Sequence, residues 1–154
     1  MAEAGVPSIL VVDDEKSAVD FISRILKSEG FEVVTASSGY LAFNLLNRRC
    51  DTLGDPRISL MICDWSMEGW DGIRLLHEIR RAAWADFPKI LISGKVTQKE
   101  LELAARNHVS GVLIKPIKKD LLIQKVRAVM AAHPVPGVEI EADETEADPA
   151  VHAA

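Results

Sequence analysis

Short apolar runs of strand length alternate along the chain with segments whose apolar residues recur at helical spacing. The apolar runs predict five strands, near Ser8–Val12, Glu32–Ala36, Ser59–Asp64, Lys89–Ser93 and Gly111–Lys115. The helical spacing predicts five helices, near Glu15–Ser28, Gly39–Arg48, Asp71–Arg80, Thr97–Asn107 and Ile117–Ala132. Because strands and helices alternate strictly and the strands are almost entirely apolar, we expect an α/β fold in which helices cover both faces of a parallel sheet.

The first and last predicted helices each carry an apolar face that should pack against the sheet. These faces comprise Val19, Phe21, Ile22, Ile25 and Leu26 in the first helix, and Leu121, Leu122, Val126 and Val129 in the last. Gly30 follows the first helix and is its expected C-terminal stop, since glycine readily adopts the conformation that ends a helix.

Length and pattern indicate one domain, over residues 6–132, followed by a tail. After Ala132 the run His133-Pro134-Val135-Pro136-Gly137 breaks any helix, and residues 133–154 are expected to be disordered. Six of the 23 acidic residues lie from Glu139 onward, so the preceding residues carry 17 acidic and 18 basic side chains. This near-neutral body lacks a basic stripe, and no nucleic-acid partner is expected.

The apolar segments are too short to span a membrane, and the N-terminus lacks the basic region and long apolar run of a signal peptide. The two cysteines, Cys50 and Cys63, show no metal-ligand spacing, and Cys63 lies inside an apolar run where burial is expected. A reduced, cytoplasmic setting without membrane insertion is therefore expected.

Polar side chains follow four of the predicted strands at the point where each strand ends. Asp13 and Asp14 follow the first strand, Asp64 ends the third, Ser93 the fourth and Lys115 the fifth. In a parallel sheet these ends lie at one edge, where open α/β sheets bind ligands. The sequence therefore brings three carboxylates, a hydroxyl and an ammonium group to one edge.

Such a group of side chains suits a magnesium ion and a phosphoryl group. Mg²⁺ prefers carboxylate oxygens and keeps several waters. Without a metal, Asp13, Asp14 and Asp64 should repel one another, and at least one carboxyl pKa should rise. An aspartate near the ion can attack phosphorus, while Lys115 and Ser93 contact the phosphoryl oxygens.

These motifs resemble the receiver domains of bacterial response regulators, the CheY-like superfamily of two-component phosphorelays. The matching residues are Asp13-Asp14, Asp64, Met67, Asp71-Gly72, Ser93-Gly94 and Lys115-Pro116. The resemblance covers essentially all of residues 6–132. It implies a flavodoxin-like doubly wound (βα)5 fold with a five-stranded parallel sheet of order 2-1-3-4-5.

The resemblance also implies roles for individual residues. Asp64 is the expected phosphoacceptor, and its donor would be a phosphohistidine in a histidine kinase or a histidine phosphotransfer protein. Asp14 would bind Mg²⁺ directly, Asp13 would do so through water, and Ser66 would offer its backbone carbonyl.

On the phosphoryl side, the resemblance assigns Lys115 to pair with the transferred group. Ser93 would be the switch hydroxyl that moves inward on phosphorylation, and Gly94 would leave space beside the site.

Two positions depart from the pattern of the family. Val112 stands where the family usually has a Tyr or Phe whose ring rotates inward, and valine has no ring to rotate. Glu68 follows Met67 where many relatives have proline, which adds negative charge near the site, whereas Lys95 adds a positive one. Trp65 is expected near the metal site, and Trp70 and Trp84 at surface packing or a partner contact.

The leading hypothesis is a single-domain response regulator that signals through an unidentified protein partner, by way of its fourth helix, fifth strand and fifth helix. Val112 and Glu68 motivate an alternative, a non-switching scaffold with the same fold. A third hypothesis is a Mg²⁺-dependent aspartyl phosphatase, but Ser66 occupies the position where such enzymes need a second Asp. A fourth is that the chain is a module of a longer hybrid protein.

Overall fold

The structure is a computed structural model that describes residues 7–51, 58–81 and 88–132. Trp84 and the predicted tail at 133–154 lie outside these ranges. Strands and helices alternate as predicted: β1 Ser8–Val12, α1 Lys16–Ser28, β2 Glu32–Ala36, α2 Gly39–Asp51, β3 Ile58–Asp64, α3 Gly72–Arg81, β4 Lys89–Ser93, α4 Gln98–Arg106, β5 Gly111–Ile114 and α5 Lys119–Ala132.

The five strands form one parallel sheet of order β2-β1-β3-β4-β5, which confirms the expected fold. From β1 the chain passes to β2 at one edge and then crosses back over β1 to β3. The strand order therefore reverses between β1 and β3, the point at which such sheets place their ligand crevice. Val12 pairs with Cys63 across this junction, so Asp13 and Asp64 follow at the same edge.

Helices pack on both faces of the sheet, because alternate strand side chains point to opposite faces. One buried cluster joins α1 and α5 to the sheet through Ile22, Ile25, Leu26, Leu122, Val126, Val129, Met130, Ile9, Val11, Leu60, Ile62, Ile90 and Ile92. The other joins α2, α3 and α4 to the opposite face through Ala42, Leu46, Leu75, Leu76, Ile79, Ala104, Leu10, Val12, Met61, Cys63 and Leu91. Every residue of β1, β3 and β4 is buried, which confirms the inference from their apolar composition.

Several helices begin later than predicted, because the sequence does not distinguish a capping residue from the first residue of the helix. Glu15 and Thr97 were expected inside helices but are the N-caps of α1 and α4, with extended backbone conformations. Asp71 also precedes its helix, and its Oδ1 accepts a hydrogen bond of 2.9 Å from Arg74 N. Gly30 has a φ of 91° directly after the C-cap of α1, as a helix-stopping glycine should.

Two predicted core residues are on the surface. Phe21 is 46% exposed and Leu121 is 52% exposed, whereas Ile22 and Leu122 beside them are buried. The apolar face predicted for each helix was too broad, since the sheet covers only part of the helix circumference. Among the described residues, no helix has both the length and the apolar character needed to cross a bilayer.

The adjacent leucines of α5 provide a direct test of this packing. Leu122→Ala should lower the free energy of unfolding by about 2–5 kcal/mol, because it leaves a cavity in a fully buried position. Leu121→Ala, the matched control, should change it by no more than about 0.5 kcal/mol. Urea denaturation measures both, and equal losses would contradict the placement of α5.

Candidate functional site

The predicted site residues meet at the carboxyl edge of the sheet, beyond the last strand pairings. Asp64 pairs with Ile92 across β3 and β4, and Trp65 N continues the ladder with a 2.8 Å hydrogen bond to Ile92 O. Lys115 N likewise donates to Ser93 O at 2.8 Å. These backbone contacts place Asp64, Ser93 and Lys115 on three adjacent strand ends.

The carboxylate of Asp64 is held at both oxygens. Lys115 Nζ donates to its Oδ2 at 2.6 Å, and Ser66 N donates to its Oδ1 at 3.0 Å. Only 6% of the Asp64 side chain is exposed. A carboxylate buried to this degree needs such partners, and they fix its orientation at the mouth of the site.

The ammonium group of Lys115 is strongly favoured in its charged form. Burial alone would lower the pKa of Lys115, but the hydrogen bond and the negative charge of Asp64 outweigh it and raise this pKa above its usual range. Lys115 therefore remains a cation at neutral pH and supplies a fixed positive charge.

Asp13 is a buried carboxylate whose pKa is raised. Its side chain is buried and accepts a 2.9 Å hydrogen bond from Glu15 N. Burial, together with the charge of Asp64, raises the pKa of Asp13 from 3.8 to about 6, against the opposing effect of the Glu15 N–H and of Lys115. The predicted rise of at least one carboxyl pKa is confirmed, with burial rather than repulsion as its largest cause.

Asp14 differs from the other two carboxylates in its exposure to solvent. It is exposed, and its Oδ2 accepts a 3.3 Å hydrogen bond from Glu68 N. It lines an open hollow of about 420 Å³ beside Trp65, Ser66, Met67, Glu68 and Asp71. Trp65, which was expected near the metal site, lines the same hollow as Asp14.

The donor set suits a hydrated cation rather than a closed protein cage. Within the described ranges, no three His, Cys, Asp or Glu side chains are gathered closely enough to hold a metal ion. Mg²⁺ retains several waters and is commonly bound through only one or two carboxylates. Burial is the largest cause of the raised pKa of Asp13, and the charge of Asp64 adds a repulsion that a divalent cation would relieve.

The hydroxyl of Ser93 is buried but turned toward its own loop. Its Oγ donates to Lys95 O at 2.7 Å and accepts from Lys95 N at 3.2 Å. Gly94 is exposed, and a Cβ added there would meet no atom within 4 Å, so packing does not require glycine at this position. The structure thus brings Ser93 to the site edge with its hydrogen bonds directed away from Asp64.

Gly72 determines how the loop after Asp64 turns into α3. Its N–H donates to Trp65 O at 3.0 Å. A Cβ at this position would lie 2.9 Å from Asp64 O and 3.0 Å from Trp65 Cα, both backbone atoms. The close approach of helix and strand end therefore requires glycine.

Aromatic and aliphatic neighbours complete the surroundings of the site. Trp70 packs against Tyr40 and Phe43, with ring centroids 5.5 and 5.8 Å apart, and the Arg74 guanidinium lies 4.6 Å from its ring centroid. Trp70 therefore serves surface packing, one of the two expected roles. Val112 is partly buried against the cluster that contains Leu91 and Ala104.

Cys63 behaves as the buried hydrophobe that was predicted. It has no exposed surface, and burial, reinforced by the charge of Asp64, raises the pKa of its thiol. The reactive thiolate is therefore strongly disfavoured beside the site.

One residue at the site was missed in the sequence. Glu100 Oε2 lies 3.5 Å from Ser93 Oγ and also accepts from Thr97 N at 3.3 Å. The signal was present, since Thr97 and Glu100 have the spacing of a capping box. Its proximity to Ser93 could not be inferred from that spacing.

The geometry agrees with a comparison against protein families, in which the model for the response regulator receiver domain matches residues 9–127. The chain belongs to the response regulator receiver domain family. Response regulators act in two-component phosphorelays and receive phosphate from histidine kinases, and receiver domains generally bind Mg²⁺ at the phosphorylation site. The receiver resemblance inferred from the sequence motifs is confirmed.

Three curated relatives of this receiver domain are named as transcriptional regulatory proteins. GlrR of Escherichia coli is 31% identical over 118 residues, which are 77% of this chain and 25% of GlrR. HoxA of Cupriavidus necator is 33% identical over 84% of this chain and 25% of its own length. PhoB of Escherichia coli is 26% identical over 94% of this chain and 61% of PhoB. The chain thus spans a quarter to about three fifths of these relatives, and the expected lack of a nucleic-acid partner stays a prediction.

Solved structures show the same fold. A receiver domain from Clostridium thermocellum superposes with a TM-score of 0.69 at 27% identity, covering 82% of this chain and 97% of the other. The chemotaxis protein CheY4 of Vibrio cholerae gives a TM-score of 0.73 at 21% identity, covering 81% and 99%.

Two glycines of the receiver domain test the steric argument. Gly72→Ala should lower the free energy of unfolding by about 1–3 kcal/mol, because its Cβ would meet backbone that cannot yield easily. Intrinsic helix propensity alone predicts the opposite sign, since alanine is the better helix former. Gly94→Ala, the control in open space, should cost no more than about 0.5 kcal/mol. Urea denaturation measures both changes, and a stabilised Gly72→Ala variant would refute the close approach.

Proposed function

We propose that Asp64 accepts a phosphoryl group from a phosphohistidine of a histidine kinase or a histidine phosphotransfer protein. The contact between Lys115 Nζ and Asp64 Oδ2 is the observation that carries this proposal. A carboxylate oxygen of Asp64 attacks phosphorus, the bond between phosphorus and the donor imidazole breaks, and the imidazole nitrogen leaves with the bonding electrons. The product is an aspartyl-phosphate at the sheet edge.

Mg²⁺ is the proposed cofactor, held by Asp13, Asp14, Asp64 and the backbone carbonyl of Ser66. When bound, the ion neutralises negative charge on the phosphoryl group and on the carboxylates. Asp14 is exposed and can bind directly, whereas the buried Asp13 is better placed to act through a water molecule. The pKa of Asp13 is raised first by burial and in part by the charge of Asp64, and a nearby cation would favour its charged form, which supports this assignment.

Lys115 and Ser93 are the proposed contacts of the transferred group. Lys115 already lies 2.6 Å from Asp64 and can follow the oxygens of the phosphoryl group as a compact positive charge. Ser93 has a buried hydroxyl on the neighbouring strand end, and it can donate to another phosphoryl oxygen once its bond to Lys95 O is broken. Gly94 leaves room beside it for this change.

The proposed role is signalling through protein contacts rather than catalytic turnover. An aspartyl phosphatase would need an acid two residues after its nucleophile, and here Ser66 is exposed at that position and donates its N–H to Asp64 Oδ1. An output surface on α4, β5 and α5 is supported by the exposed Ile114 and Leu121, at 59% and 52%.

An apolar hollow beside Lys115 supports a docking role for the donor protein. It has a volume of about 540 Å³ and is lined by Glu15, Ser17, Ala18, Phe21, Ile22, Lys115, Pro116 and Ile117. Phe21 is half exposed at its margin. A donor must bring its histidine to Asp64, and this hollow offers apolar contact next to the lysine that Asp64 binds.

Phosphorylation is tested by mass spectrometry of the intact protein after incubation with Mg²⁺ and acetyl phosphate. The wild type should gain the mass of one phosphoryl group, because Asp64 is a positioned nucleophile. Asp64→Asn should gain none. No gain on the wild type, or an equal gain on Asp64→Asn, would exclude Asp64 as the phosphoacceptor.

The docking surface is tested with the histidine kinase that transfers fastest in a profile of kinases from the same organism. Phe21→Ala should slow transfer from this kinase by about tenfold, since truncating a residue that dominates an interface costs more than about 1 kcal/mol. Labelling by acetyl phosphate should not change. Tyr40→Ala, which removes another exposed aromatic ring, is the control. If both variants transfer at the wild-type rate, the donor does not use this hollow.

A further inference from the structure

The resting position of Ser93 is held by bonds that a phosphorylated Asp64 would have to displace. Its hydroxyl proton is donated to Lys95 O at 2.7 Å and, over the longer distance of 3.5 Å, is shared with Glu100 Oε2, while the hydroxyl oxygen accepts from Lys95 N at 3.2 Å. A hydroxyl has only one proton to donate, so Ser93 cannot keep the bond to Lys95 O and also donate to a phosphoryl oxygen. The two arrangements are mutually exclusive.

Glu100 adds a charged group to the resting arrangement. Its Oε2 lies 3.5 Å from Ser93 Oγ and 3.3 Å from Thr97 N, and Thr97 Oγ1 accepts from Glu100 N at 3.1 Å. One carboxylate oxygen thus contacts both the switch hydroxyl and the N-cap of α4. Only Gly94, Lys95 and Val96 separate Ser93 from Thr97 along the chain.

Helix α4, whose N-cap contacts Glu100, buries few residues. Ala104 is the buried residue of α4, whereas α1, α3 and α5 each bury four residues. Few buried contacts make local rearrangement inexpensive. Val112 has no ring that could rotate into the space left by a moving hydroxyl, so the loop to α4 is the available route for a signal.

We propose that Glu100 is a positioning residue that holds Ser93 away from Asp64, so that phosphorylation is read at the N-terminus of α4. This inference rests on the proposed function of Asp64. When Ser93 donates to a phosphoryl oxygen, its hydrogen bond to Lys95 O breaks, Lys95 N loses its acceptor, and Glu100 loses its contact with the hydroxyl. The loop at 94–96 and the first turn of α4 then adopt a second arrangement. Glu100 sets how much free energy this change requires, because it contacts Ser93 in only one of the two states.

The test measures the binding of beryllofluoride, a mimic of the phosphoryl group, at a fixed Mg²⁺ concentration. The amide resonances of Gly94 and Lys95 report the state of the loop in each variant. Glu100→Gln keeps an acceptor for the capping box but removes the charge that faces Ser93. It should bind beryllofluoride about fivefold more tightly, because a hydrogen bond to a neutral group is weaker than one to a charged group. In the free variant, the Lys95 resonance should also be displaced toward its bound position.

Two control variants test whether the effect comes instead from the loss of any negative charge on α4 or from a weaker α4 helix. Glu102→Gln removes an exposed carboxylate of the same helix, and Thr97→Ala removes the side-chain cap. Neither should reproduce both the tighter binding and the displaced Lys95 resonance in the free protein.

The outcomes distinguish the inference from the function on which it rests. If the wild type does not respond to beryllofluoride with Mg²⁺, the proposed function fails and the role of Glu100 fails with it. If the wild type responds but Glu100→Gln binds beryllofluoride with the wild-type midpoint, the role of Glu100 alone is refuted. The same conclusion follows if Glu102→Gln binds beryllofluoride as tightly as Glu100→Gln does.

Discussion

The ion pair between Asp64 and Lys115 depends on the parallel sheet, and the rest of the site is arranged around it. A carboxylate that is 6% exposed would be costly without a partner, since a buried charge must be compensated. Lys115 provides that partner across 51 residues of sequence, because β5 and β3 end at the same edge with β4 between them. The ladder contacts of Trp65 N and Lys115 N to β4 keep these strand ends aligned.

The carboxylates of Asp13, Asp14 and Asp64 differ in their burial and in their hydrogen-bond partners. Asp64 is stabilised by an ammonium group, and Asp13 is buried with one backbone donor and a neighbouring negative charge. Asp14 is solvated and engages the loop after β3 through Glu68 N. This gradient from buried to exposed suits a hydrated divalent cation, which can use both direct and water-mediated ligands.

Two different surfaces lie on either side of Asp64 at this edge of the sheet. The hollow between α1 and the segment after β5 places apolar side chains next to Lys115, where the proposed phosphodonor would approach. On the other side, Ser93 is connected through Glu100 to the N-cap of α4. Input and output can therefore lie on different flanks of Asp64. Val112 is packed into the layer formed by α2, α3 and α4, and in the proposed mechanism the loop after β4 connects the two surfaces.

The sequence by itself determined the fold class and the edge on which the site lies. Alternating apolar runs and amphipathic segments reveal strands and helices, and the residue that ends each strand can be read directly. The strand order came from the resemblance carried by the aspartate, serine and lysine motifs. Which side of each helix meets the sheet could not be read as finely, and Phe21 and Leu121 were wrongly placed in the core for that reason.

Only the tertiary structure decided how the side chains at the edge use their hydrogen bonds. Sequence spacing does not show that Asp14 turns toward Glu68 N, that Ser93 bonds to Lys95, or that Glu100 reaches Ser93. These choices depend on distances of a few tenths of an ångström and on the burial of each group. The pattern of apolar runs identifies which residues lie at the site, whereas packing and desolvation determine which hydrogen-bond partner each polar atom takes.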